Sequence, residues 1–160
     1  MGEFRSHHQR KVDQFMVLAK QELPNYPMMP CEAVRKLRAK LIFEECLETI
    51  EALGFDVKVL AAGGLDGFSE VRKDSVVFES NGKEDLVEIT DGCCDIRVVT
   101  TGTLSACGIP DEVVQDEVDN NNLAKFGPGH SWRDDGKLIK PADHKPPRIA
   151  EIIARLRPIG

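Results

Sequence analysis

The chain has 160 residues, enough for one domain with a hydrophobic core and too few for two full ones. Asp and Glu number 27 against 21 Lys and Arg, a net charge of −6. That balance argues against duplex nucleic acid and anionic membrane as partners, since both need a basic footprint. Hydrophobic residues make up 41% and charged residues 30%, a globular composition, and no apolar run approaches the roughly 20 residues of a membrane helix.

A first helix is predicted from His7 to Leu23, with Val12, Phe15, Ala19 and Leu23 on one face, before Pro24, Pro27 and Pro30 stop it. A second runs from near Cys31 to Gly54, a helix-terminating residue. Residues 55–83 differ. Val57, Val59 and the run Val76 to Phe78 have strand character, and Gly63, Gly64 and Gly67 lie between them, which predicts a β-hairpin or an irregular excursion. A third helix is expected from Glu84 to Cys107, ahead of Gly108-Ile109-Pro110, and a fourth from Pro110 to about Asn121. The basic tail, 125–160, is rich in Pro, Gly and Lys and is expected to be extended, with a short helix at Ile149 to Leu156. The fold class is therefore all-α. One domain over 1–160, an antiparallel four-helix bundle with an insertion at 55–83, is the expected architecture.

The informative feature appears when the second helix is turned at about 100° per residue. With Glu44 at zero, Leu37, Glu48, Leu41, Val34 and Glu45 all fall within about 100° of it, so three acids continue an aliphatic stripe. Ile42, Cys46, Ile50 and Leu53 form a second apolar stripe, as in a helix buried on two sides of an oligomeric bundle. The third helix repeats the pattern: Glu88, Asp91 and Asp95 lead into Val99, Gly102 and Ala106. Two such helices can point six carboxylates at one another. Unit charges 4 Å apart repel by about 4 kcal/mol at an effective dielectric of 20, so such a cluster must take up protons or cations. Oxygen ligands without Cys or His favour Mg²⁺ or Mn²⁺ over Zn²⁺, and Mg²⁺ held by carboxylates commonly grips substrate phosphates on its other side. The alternatives are a solvated acidic face that binds a protein partner, or a helical module that binds metal or nucleotide without catalysis.

The run Glu44-Glu45-Cys46-Leu47-Glu48, followed by Glu88-Ile89-Thr90-Asp91, resembles the E-E-x-x-E … E-x-x-D signature of the all-α nucleoside triphosphate pyrophosphohydrolases. That superfamily includes the MazG-like enzymes, the dimeric all-α dUTPases and phosphoribosyl-ATP pyrophosphohydrolase. Asp91 through Gly102 and Gly108-Ile109-Pro110 look like its third-helix block and following turn. Asn122-Leu123-Ala124-Lys125 is similar to its N-x-x-K element, and Asp135-Gly136-Lys137-Leu138-Ile139-Lys140-Pro141 resembles the tail of one MazG-like subgroup. The stretch 55–83 is unmatched.

The resemblance implies Mg²⁺-dependent hydrolysis of a nucleoside triphosphate between the α and β phosphates, giving monophosphate and pyrophosphate and controlling the nucleotide pool. It implies Glu45, Glu48, Glu88 and Asp91 as metal ligands, with Mn²⁺ as a substitute ion. Glu44 becomes a further ligand or the base that orients water, and Asp95 an additional metal or substrate contact. Asn122, Lys125 and Lys140 become contacts to the nucleotide's sugar or phosphates. A narrower substrate such as phosphoribosyl-ATP, dUTP or dGTP is the alternative to this reading. A homodimer or homotetramer is expected, since bundles of this kind pair and the second apolar stripe needs a cover.

Other residues have plainer readings. Cys93 and Cys94 point away from the acid face, which suits packing. Five Cys, an odd number without metal-type pairing, fit reduced thiols, and Met1 to Lys11 lack an apolar stretch behind them. The expected location is therefore cytoplasmic, bacterial or in the host of a phage. Trp132, the only Trp, and Phe126 suit either stacking on a base or packing in a core or lid.

Overall fold

A computed structural model describes residues 4–59, 71–72 and 75–158. Five helices and two small hairpins follow one another among these residues: α1 (His7–Leu18), α2 (Glu32–Ala52), β1 (Phe55–Val59), β2 (Val76–Ser80), α3 (Leu86–Ala106), α4 (Asp111–Ala124), β3 (Ser131–Trp132), β4 (Leu138–Ile139) and α5 (Ile149–Leu156). The protein is mostly helical, as expected. The chain divides into two compact units, one of Cys31–Thr100 and one of Met1–Pro30 with Thr101–Gly160, and α3 contributes to both. Among the described residues no helix is long and apolar enough to cross a membrane.

In the unit formed by the two ends of the chain, Ser6 caps α1 by accepting a hydrogen bond from the Gln9 amide at 3.0 Å. The helix stops at Leu18, five residues short of the expected Leu23. Lys20 takes a left-handed conformation (φ 59°), its amide bonds Val17 O at 2.9 Å, and the Gln21 amide reaches back to Met16 O at 2.9 Å. This pair of bonds closes the last carbonyls without a glycine. The same closure ends α3, where Gly108 (φ 69°) bonds Ser105 O and Ile109 bonds Leu104 O, both at 2.9 Å.

The buried face of α1 is Gln9, Val12 and Met16, whereas Phe15, expected inside, is 63% exposed. The rotation has a polar cause. Gln9, fully buried, donates to Ser105 Oγ at 3.0 Å and Ile109 O at 2.9 Å and accepts from the Asp111 amide at 2.8 Å. Asp111 also accepts from the Ser6 amide at 2.8 Å. Three satisfied bonds at one side chain fix which face of α1 turns inward. Val12, Met16, Ala106 and Val114 supply the apolar core here. The tail is less extended than expected. Ser131 pairs with Ile139 and Trp132 with Leu138, around a turn that Gly136 permits, and α5 forms where predicted. Arg148, before α5, pairs with Glu117 of α4 at 3.0 Å.

In the Cys31–Thr100 unit, β1 and β2 pair antiparallel with Phe55 opposite Ser80 and Val59 opposite Val76, so the predicted hairpin forms. The intervening glycines lie outside the described residues. Phe55 and Phe78 meet edge to face at 6.5 Å, and Lys58 pairs with Glu79. The base of the hairpin is tied to α2, where the Asn81 amide bonds Gly54 O at 2.8 Å and the Asp85 amide bonds Ala52 O at 3.0 Å. Asp85 then caps α3, its Oδ1 accepting from the Val87 amide at 2.8 Å. The buried side chains of α2 are Arg38 and Thr49. Leu37 of the first expected stripe and Leu53 of the second are each 43% exposed, so neither buried face expected of α2 is fully covered within one chain.

Candidate active site

All six acids singled out in the sequence lie in the Cys31–Thr100 unit, Glu44, Glu45 and Glu48 on α2 and Glu88, Asp91 and Asp95 on α3. Two local features set α2 against α3. Thr49, buried on α2, donates through Oγ to Glu45 O at 2.7 Å, which pins its rotamer. Opposite it stands Gly92. A Cβ at this position would overlap Thr49 Oγ and lie 3.2 Å from Thr49 Cβ and 3.3 Å from its Cα. Only glycine lets the helices approach this closely, one residue from Asp91 and four from Glu45.

Glu45 is the focus of the cluster. Its carboxyl is pushed above the ordinary carboxylate range, first by partial burial and then by the negative charges of Asp95, Glu48, Glu44 and Asp91. Repulsion of that kind needs proximity, so acids from both helices converge on one carboxyl. Glu48 and Glu88 also line an open groove with Glu51, Ala52, Lys83 and Asp85. Glu44 is drawn partly aside by Lys40 at 3.4 Å.

The arrangement departs from an interior pocket. Glu48, Glu88 and Asp91 are exposed, and Glu44, Glu45 and Asp95 are half-buried. Among the described residues no three Asp, Glu, His or Cys side chains form a ready-made metal cage. The aliphatic stripe that was expected to bury these acids is itself partly open, as Leu37 shows. The donor set is nevertheless oxygen only, and its mutual repulsion at Glu45 is relieved by positive charge, so its chemistry fits a hard divalent cation.

The three predicted nucleotide contacts lie in the other unit. Asn122 and Lys125 are brought together at the end of α4, where Lys125 Nζ donates to Asn122 Oδ1 at 2.6 Å. Lys140 stands exposed just after β4. Sequence reasoning missed Thr49 and Gly92, whose roles appear only when the two helices meet. It also missed Lys83, Glu51 and Asp85 of the groove. For Asp85 a signal exists, the D-x-x-E spacing of Asp85 and Glu88 that marks a helix start.

The family-model match over residues 10–122 shows the chain to be a pyrophosphohydrolase, an enzyme that hydrolyses phosphoric anhydrides of nucleotides. More narrowly, the family model of phosphoribosyl-ATP pyrophosphohydrolase matches residues 10–122, and the chain belongs to that family, within the MazG-like superfamily. The match spans both acidic motifs and ends at Asn122, leaving Lys125 and Lys140 beyond it. No curated protein matches the chain.

Proposed function

We propose that the protein is a Mg²⁺-dependent nucleoside triphosphate pyrophosphohydrolase that cleaves between the α and β phosphates and acts on the cytoplasmic nucleotide pool. The observation that carries this reading is the convergence of Glu44, Glu48, Asp91 and Asp95 on Glu45. Glu45, Glu48, Glu88 and Asp91 hold the cation, with Asp95 as a further contact. When bound, the ion supplies neutralisation of phosphate oxygens and activation of water. The attacking water passes its proton to Glu44 or Glu45 as the bridging P–O bond breaks and pyrophosphate departs. Asn122, Lys125 and Lys140 contact the sugar or phosphates.

The partial exposure of Leu53 in the second apolar stripe of α2 supports a homodimer or homotetramer, and the lengths of α1 to α4, 12–21 residues against 8 for α5, support a four-helix bundle. A narrower substrate, phosphoribosyl-ATP itself, is the second reading, favoured by the family matched. Incubation with each NTP, each dNTP and phosphoribosyl-ATP plus Mg²⁺, with product analysis, separates the two. The expected products are a monophosphate and pyrophosphate, and their absence from every substrate refutes both readings. Glu48→Gln and Asp91→Asn are each expected to lower turnover at least about a hundredfold in a folded protein, since a charged ligand to the ion contributes several kcal/mol. Full activity in both variants refutes the site.

A further inference from the structure

Three rings gather after α4 that the hydrolytic chemistry does not use. Phe126 and Trp132 are centred 6.2 Å apart with planes tilted 53°, and His130 meets the edge of Phe126 at 6.0 Å. These rings do not belong to a core, because Phe126 is 52% and Trp132 59% exposed. Nor are they on free-swinging chain. The Phe126 amide bonds Leu123 O at 3.1 Å, the His130 amide bonds Gly127 O at 3.2 Å, and the pairing of β3 with β4 holds the backbone of Trp132 opposite Leu138. Contiguous aromatic surface kept in water by an ordered backbone marks a binding face.

The polar surroundings narrow the ligand. Lys125, hydrogen-bonded to Asn122, precedes Phe126 directly, and Lys137 and Lys140 follow in the same hairpin, while Arg133 is engaged by Asp135 at 2.7 Å. Aromatic rings on a chain segment that also carries Lys125, Lys137 and Lys140 suit a flat heterocycle that carries a sugar and phosphate.

We propose that Phe126, His130 and Trp132 form a stacking platform for the base of a nucleotide. The inference rests on the nucleotide-hydrolase reading above and adds a base-holding face within the unit formed by the two ends of the chain.

Because Trp132 is the sole Trp, its emission in the full-length protein reports on this face alone. Titration with nucleoside monophosphates, which are not hydrolysed, is expected to quench it saturably, whereas ribose 5-phosphate, which lacks a base, leaves it unchanged. Trp132→Ala is expected to weaken binding of the nucleoside monophosphate about tenfold by equilibrium dialysis, and Trp132→Phe to restore it. Pyrophosphate release by the unaltered protein is measured alongside. Turnover without quenching by the corresponding monophosphate overturns the platform and spares the hydrolase reading. Quenching without turnover supports the platform and overturns the hydrolase reading, and absence of both overturns both. An unchanged monophosphate affinity in Trp132→Ala and Phe126→Ala, or an emission that responds to dilution of the protein and not to nucleotide, also overturns the platform.

Discussion

Replacing Gly92 by Ala tests how α2 and α3 hold the acids together, because two effects of known sign compete there. Judged as a helix residue alone, Ala is favoured over Gly by about 1 kcal/mol. Judged by contacts, the new methyl overlaps Thr49 Oγ and presses on the Thr49 backbone, 3.3 Å away at Cα. Thr49 cannot easily yield, being buried, β-branched and bonded to Glu45 O. Overpacking of this kind costs about 2–3 kcal/mol, so the clash wins by about 1–2 kcal/mol. For a chain of this length that lowers Tm by about 4 °C. Forcing the helices apart also carries Asp91 away from Glu45, so activity falls with stability. Thermal melts and pyrophosphate-release assays of Gly92→Ala check both. Thr49→Ala combined with Gly92→Ala removes the overlapping oxygen and is expected to recover most of the lost Tm. A Gly92→Ala protein that melts higher than the unaltered one refutes the close approach, since propensity alone would then govern the site.

Two further outcomes follow from the same structure. The Glu45 carboxyl is raised above its unfolded value, so the folded state binds its proton more tightly and loses stability as pH rises through the folded pKa. Glu45→Gln is therefore expected to melt higher than the unaltered protein at neutral pH without divalent cation. The difference should vanish below the ordinary carboxylate range and shrink when Mg²⁺ is added; a lower melting point at neutral pH contradicts the electrostatic picture. Gln9→Ala removes three hydrogen bonds and leaves the Ile109 carbonyl and Asp111 amide with no side-chain partner, which is expected to cost about 3 kcal/mol by urea unfolding. A cost under about 0.5 kcal/mol would show that the buried amide does not orient α1.

Local signals made much of this protein legible in its sequence. Gly108 and Pro110 mark the end of α3 and the start of α4, the glycine because its backbone turns left-handed there and the proline because it needs no amide partner. The strands flanking residues 60–74 and the bounds of α5 follow from valine-rich and amphipathic runs. The end of α1 escaped, because the left-handed position falls on Lys20, which carries no compositional mark. So did its buried face, where a glutamine outcompetes a phenylalanine through bonds to residues about a hundred positions away.

The acids themselves were evident from their spacing, which depends only on the helical repeat. Their surroundings were not. Spacing says which side chains share a face, but burial and repulsion depend on what stands opposite, and that is fixed by the contact of Gly92 with Thr49, two residues far apart in the chain. The sequence alone therefore determined the helical class, the family's acidic signature and the oxygen-only donor set. Tertiary structure alone decided that Glu45 is the carboxyl the others crowd, that the acids line an open surface, and that Phe126 and Trp132 stay in water. Short-range chain geometry governs the first set, while the second arises from through-space forces between segments the chain order keeps apart.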